Sequence, residues 1–327
     1  MGKMGISHAS IINAHPDLDL IAVCDASALI LEALKKYGNF KTYTDYVKMI
    51  NDNNLDALFV ATPTRFHAEM VIYALERDIN VFCEKPFSLS IDQGQKMVEM
   101  AKEKKRVNQV GYHNRFVGTF NYLRKLINDK TLGQIYHFAG EAYGPVVVKR
   151  KEGTWRSDSS EGGGCLFDYA SHVINLIEYT LGEIQDIKGV MLKKVFSKEV
   201  EDAVYACLLL ENGLSGILNV NWSDETYRKM STQLTLLGTE GKIIADAQEM
   251  KIYVKKEDKK LGLEKGWNMR YITDLTDPVD FYLRGEEYSA QVDYFARCIK
   301  TNDYNNRNSF ASALNTDQVI EKIRKNK

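Results

Sequence analysis

Met1-Gly2-Lys3-Met4-Gly5-Ile6-Ser7-His8 opens the chain, and the apolar run Leu20-Ile21-Ala22-Val23-Cys24 with Asp25 at its end follows. Gly2 and Gly5 match the second and third glycines of a G-x-G-x-x-G turn, whose first glycine would precede Met1. Glycines let the main chain approach a pyrophosphate, and the N-terminus of the following helix favours its negative charge. Asp25 ends the next strand twenty residues after Gly5, where an acidic side chain accepts the ribose hydroxyls of NAD. Taken alone, two glycines also fit a flexible terminus and Asp25 also fits a helix N-cap. Spacing and strand context together favour a nucleotide. The strand normally preceding such a turn lies centrally in a doubly wound sheet. A native chain that extends upstream of Met1 by about one strand and a glycine is therefore expected.

Outward from this turn the alternation continues. Short apolar runs at 57–61, 80–83 and 107–110 read as strands, while 66–76 and 91–104 carry apolar residues at three- and four-residue steps. That alternation makes βαβ units and a parallel sheet over 1–115. The style then changes to longer strand-like runs at 135–143, 186–195, 203–210, 215–222, 231–237 and 242–254. Turn signals such as Glu211-Asn212-Gly213 and Gly238-Thr239-Glu240-Gly241 separate them, which predicts a mostly antiparallel sheet with hairpin connections. One helix over 165–181 interrupts the sheet, helices near 286–300 and 309–325 close the chain, and 255–285 reads as a long polar loop.

Bulk composition narrows the function classes. The chain has 327 residues, 44% of them hydrophobic, enough for two domains with real cores. Its 43 Lys and Arg balance 44 Asp and Glu, which gives no electrostatic reason to expect nucleic acid or an anionic membrane as partner. No apolar run approaches the roughly 20 residues that span a bilayer, and the N-terminus shows no signal-peptide stretch. Cys24, Cys83, Cys165, Cys207 and Cys298 are scattered and form no CxxC pair, so neither a zinc site nor a disulfide framework is predicted. Reduced thiols in a cytoplasm are the simple expectation.

Three further stretches carry chemistry. Ala61-Thr62-Pro63-Thr64 and Glu84-Lys85-Pro86 each follow a strand at its carboxyl end, where open α/β sheets bind ligands. Lys85 placed there could donate to a substrate hydroxyl oxygen, although a surface lysine in a turn is the commoner finding. On the helix after Gly162-Gly163-Gly164, Asp168, His172 and Asn175 sit at i, i+4 and i+7, a polar stripe among apolar neighbours. A buried polar stripe must be satisfied, by a partner or by a substrate. Histidine suits proton transfer near neutral pH, though a lone helical His is more often structural.

Together these motifs resemble the glucose–fructose oxidoreductase / inositol dehydrogenase (Gfo/Idh/MocA) family. Val110-Gly111-Tyr112-His113-Asn114-Arg115-Phe116, Trp155-Arg156 and Gly162-Gly163-Gly164-x-x-x-Asp168-x-x-x-His172 add to the likeness, which covers essentially the whole chain. The resemblance implies an α/β fold: a Rossmann doubly wound parallel sheet, here lacking its first strand, over 1–115, and an α/β domain with a large, mostly antiparallel sheet over 116–327. It implies NAD, with NADP less favoured, and a sugar, polyol or nucleotide-sugar substrate whose hydroxyl carbon exchanges a hydride with nicotinamide. By resemblance Lys85, Asp168 and His172 are catalytic, and Gly2, Lys3, Met4, Gly5, Asp25, Thr62, Pro63, His67, Glu84 and Lys85 hold the cofactor. Arg115, Trp155, Arg156 and Asn175 join Lys85, Asp168 and His172 around the substrate; many relatives carry Asp where this chain has Asn175. A cis Lys85–Pro86 bond, a homodimer or homotetramer formed through the C-terminal sheet, and no bound metal complete the expectations. Two rivals remain: an NAD-dependent elimination such as glycoside cleavage, and a non-catalytic dinucleotide sensor, which need not keep Lys85, Asp168 and His172.

Overall fold

The computed structural model describes residues 1–36, 38–147, 155–279, 281–283 and 285–326. It divides into two compact units, Met1–His113 with Pro278–Leu314, and Asn114–Asp277 with Asn315–Lys327.

The first unit alternates helix and strand as its sequence predicts: α1 (Lys3–Ala14), β1 (Ala22–Cys24), α2 (Ala28–Leu34), β2 (Lys41–Tyr43), α3 (Tyr46–Asn51), β3 (Ala57–Val60), α4 (His67–Leu75), β4 (Asn80–Cys83), α5 (Ile91–Glu103) and β5 (Asn108–Val110). All strand pairs are parallel and fall into two groups, β1-β2 and β3-β4-β5. The sequence reading misses β2 because Lys41-Thr42-Tyr43 contains no apolar run. Val71, Leu75, Val81, Cys83, Met97 and Val110 make the core between strands and helices.

In the second unit α6 (Gly118–Asn128) leads into β6 (Ile135–Tyr143), and α7 (Ser171–Leu181) precedes β7 (Ile184–Lys193), β8 (Ala203–Leu210), β9 (Ser215–Asn221), β10 (Gln233–Gly238), β11 (Gly241–Asp246), β12 (Glu249–Val254), β13 (Gly266–Tyr271) and α8 (Ile272–Leu275). The eight strands run in the order β13-β12-β11-β10-β6-β9-β8-β7, antiparallel throughout except for β6 beside β9. Two expectations need correction. The run 242–254 is two strands, because Asp246 Oδ1 accepts from the N–H groups of Gln248 and Glu249 and turns the chain. The loop expected over 255–285 contains β13 and α8; β13 is an edge strand with neither face sealed, so its polar flanks disguised it.

The sheet's inner face, with Phe138, Leu218, Val220, Leu236, Ile243 and Ile252, is buried under α7 and its neighbours with a period of two residues. Gly140 lets α7 come close: a Cβ there would stand 2.7 Å from Val173 Cγ1 and 2.8 Å from Ile177 Cδ1. The outer face leaves Tyr136, Met191, Tyr205, Ile217, Trp267 and Tyr271 exposed.

After α8 the chain returns to the first unit through α9 (Glu286–Thr301), then α10 (Phe310–Lys325) ends it. The first unit thus takes residues from two stretches of the chain, 1–113 and 278–314. Long-range packing explains the return. Phe295 of α9 meets Phe59 and Phe82 edge-on, with ring centroids 5.4 and 5.9 Å away. The Asn306 and Asn308 amides donate to the carbonyls of Asn108 and Val110 on β5. Neither contact leaves a periodic trace in the sequence.

Candidate active site

The N-terminus of α1 has the make-up of an anion cradle. Its first helical bond runs from Ile6 N–H to Gly2 O, so the N–H groups of Lys3, Met4 and Gly5 precede the ladder. A Cβ on Gly2 would meet nothing within 4 Å, whereas one on Gly5 would press Met1 Sδ at 3.3 Å. Asp25 sits directly after β1; its Oδ1 accepts from Ser27 N–H at 2.8 Å and its Oδ2 meets the Met1 ammonium. Thr62 and Pro63 follow β3, and Glu84, Lys85 and Pro86 follow β4, all at carboxyl ends of parallel strands. Unhindered glycine, helix N–H groups and a strand-end carboxylate fit a dinucleotide. The Lys85–Pro86 peptide is cis.

Two of the expected cofactor residues brace this rim. His67 is 1% exposed, with Nε2 3.0 Å from Thr62 O and Nδ1 3.3 Å from Phe87 O; burial holds its imidazole below the ordinary range. It thereby ties the turn after β3 to the segment after β4. Glu84 is buried and lies 2.6 Å from His8 Nε2 on α1. Burial pushes its carboxyl up, but the His8 hydrogen bond and charge, with Lys85 beside it, hold it below the usual value. A Cβ on Gly111 would be 2.8 Å from that carboxylate, so glycine is required there. Sequence reasoning missed His8, although it stands three residues after Gly5 on the stripe continued by Ile11 and Ile12.

In the second unit the triple glycine is a close-approach device. A Cβ on Gly163 would stand 2.5–2.7 Å from the carbonyl oxygens of Trp155, Arg156 and Asp158, and Gly162 and Gly164 have φ of 78° and 105°. The chain thus folds Trp155-Arg156 against the start of the next helix. There Arg156 Nε donates to Asp168 Oδ2 at 2.9 Å, and the guanidinium lies 4.8 Å from the Trp155 ring centroid. Asp168 and His172 are 2% and 4% exposed. The single α-helix expected over 165–181 is in fact a π-helical turn, Leu166–Ala170, followed by α7. Such turns recur at functional sites because they re-aim side chains out of α-helical register. Here the π turn carries Asp168 and the first α turn carries His172.

Arg115 and Asn175, expected around the substrate, are brought to each other. Arg115 Nε donates to Asn175 Oδ1 at 2.7 Å, and Asn175 Nδ2 donates to Thr316 Oγ1 of α10 at 3.0 Å. Lys85 belongs to the first unit; Asp168, His172, Trp155 and Arg156 belong to the second. Among the described residues no group of three or more His, Cys, Asp or Glu is arranged to hold a metal ion, and no helix is long and apolar enough to cross a membrane.

With this geometry the chain belongs to the GFO/IDH/MocA family: its residues 1–112 match the oxidoreductase family's NAD-binding Rossmann fold and 120–244 match the family's C-terminal domain. It is an NAD-binding oxidoreductase, and the resemblance read from the motifs is borne out. It is 29% identical over 237 residues to D-glucoside 3-dehydrogenase of Escherichia coli (strain K12), covering 67% of this chain and 66%, just under two thirds, of that relative. It is 26% identical over 253 residues to myo-inositol 2-dehydrogenase of Thermotoga maritima, covering 75% of this chain and 73% of the relative. Among solved structures, a levoglucosan dehydrogenase in complex with NADH shares the fold, with a TM-score of 0.89 at 21% identity over 99% of this chain and 94% of the other.

Proposed function

We propose that the protein is an NAD-dependent dehydrogenase that interconverts a secondary hydroxyl and a carbonyl on a sugar or polyol. The observation that carries this reading is the buried Asp168–His172 pair, placed by a π turn and a triple glycine. The family supports it, as do relatives named as glucoside and inositol dehydrogenases. Bound NAD supplies the hydride acceptor at its nicotinamide. His172 removes the hydroxyl proton, and in the reverse direction returns it. Lys85 donates to the same oxygen and stabilises its developing charge. Asp168, held by Arg156, orients His172 or a neighbouring substrate hydroxyl, and Trp155 packs on Arg156. Gly2, Lys3, Met4 and Gly5 present N–H groups to the pyrophosphate, Asp25 takes the ribose hydroxyls, and Thr62 and Pro63 line the rim. The test is a screen of polyols, aldoses and nucleotide sugars with NAD. Net NADH formation supports the reading; glycoside cleavage without net NADH would move the protein to the elimination class, and tight NAD binding without turnover would make it a sensor.

Cofactor choice follows from Asp25. Its carboxylate repels a 2′-phosphate, and neither Ala26 nor Ser27 offers a guanidinium to hold one. kcat/KM is expected to favour NAD over NADP, and Asp25→Ser to narrow the ratio. A wild-type preference for NADP would overturn the assignment.

Exposed Met191, Tyr205 and Ile217 on the neighbouring strands β7, β8 and β9 support a homodimer or homotetramer through the outer face of the sheet, since exposed apolar side chains gathered on adjacent strands favour contact. Ile217→Asp, on central strand β9, is expected to shift the protein to a smaller species by light scattering. An unchanged mass would remove the sheet face as the interface. We place the enzyme in the cytoplasm, where its five thiols would stay reduced.

A further inference from the structure

We propose that Arg115, Asn175, Thr316 and Glu178 form a directional hydrogen-bonded clamp that sets the rotation of α7 and so positions His172, and that none of the four touches substrate. The proposal rests on the reading of His172 as the acid–base group.

The direction of every bond follows from chemistry. Arg115 has donors only, so the Asn175 carbonyl oxygen must face it, at 2.7 Å from Nε. The Asn175 amide nitrogen is then turned to Thr316, 3.0 Å away, whose hydroxyl oxygen accepts. The Thr316 proton goes to Glu178 Oε2 at 2.8 Å. The chain therefore runs from a cation to a carboxyl group with all its donors pointing one way, an arrangement in which each bond polarises the next. Asn175 is 1% and Thr316 0% exposed, so a lost partner there is not replaced by water. Burial pushes the Glu178 carboxyl up to about 7, against the opposing Thr316 hydrogen bond and the charges of Arg115 and Lys322, with Glu183 pushing the same way as burial.

Placement gives the clamp its effect. Asn175 follows His172 by three residues on the same rigid helix, so fixing one fixes the angular position of the other. Arg115 and Thr316 approach Asn175 from segments 60 and 141 residues away in sequence. Each lies two residues past a point where the chain passes into the second unit. The two crossovers are thus pinned to the helix that carries His172. With its carbonyl on Arg115 and its amide on Thr316, Asn175 has both ends of its side chain engaged inside the protein.

The test uses Thr316→Val, which keeps the shape and removes the hydroxyl, and Thr316→Ser, which keeps the hydroxyl. The imidazole resonances of the full chain without cofactor identify His172 through the signal lost in His172→Asn. Thr316→Val is expected to move the His172 signal and to lower kcat by about tenfold to a hundredfold, the scale of a small misplacement, with KM nearly unchanged. Thr316→Ser is expected to restore both. Should Thr316→Val fail to fold, Asn175→Asp carries the same test, since it keeps an acceptor for Arg115 and loses the donor to Thr316. An unmoved His172 signal with normal kcat would overturn the clamp, and so would a raised KM with unchanged kcat, which would mark a substrate contact. If His172→Asn itself turns over normally, the acid–base assignment falls, while the resonance shift still decides the clamp.

Discussion

Replacing His172 with alanine is expected to lower kcat by about 10²–10⁴, the usual worth of a positioned general base, with little change in NAD affinity. His172 is 4% exposed at the start of α7, directly after the π segment and four residues beyond Asp168. A buried imidazole with no reacting proton to move would be replaceable at the level of packing alone, and stability would then change more than turnover. The informative measurement is therefore kcat beside NAD dissociation and thermal unfolding. A fall in kcat with intact cofactor binding and a native-like Tm places His172 in the chemistry. Near-normal turnover in a folded variant would remove it.

Lys85→Met is expected to lower kcat by about 10²–10³, the scale of one lost donor to a developing oxyanion. Methionine keeps most of the side chain's length and removes only the ammonium. The main chain around it is braced independently, by His67 across Thr62 and Phe87 and by Glu84 against His8. The loop should therefore hold its course without the charge, and the loss should fall on kcat more than on NAD affinity. A variant whose NAD affinity collapses while kcat at saturating NAD is retained would show that Lys85 serves the cofactor alone.

The strands of the β3-β4-β5 sheet, the strand-end positions of Thr62 and Lys85, and the succession of antiparallel strands were all legible from residue order. Each leaves a local mark: a short continuous apolar run for a buried parallel strand, a helical repeat between such runs, and turn residues between antiparallel strands. The motif Gly162-Gly163-Gly164 with Asp168 and His172 was equally visible, although its reason was not. Only the carbonyl oxygens of Trp155, Arg156 and Asp158 packed on Gly163 explain why glycine must stand there. The π turn also escaped, since i+4 spacing on an apolar stretch looks the same whether or not one turn is widened.

The sequence by itself therefore determined the class of fold, a glycine turn followed by a strand with Asp25 directly after it, and the presence of a polar stripe on a buried helix. Tertiary structure alone decided who partners whom along that stripe and around the rim. Arg115 and Asn175 meet each other across 60 positions of sequence, and His8 finds Glu84 across 76. A hydrogen bond requires its two atoms to lie about 3 Å apart in space. Spacing along a chain carries that information within one helix or one hairpin and loses it between elements, whose separation is set only when the whole core packs.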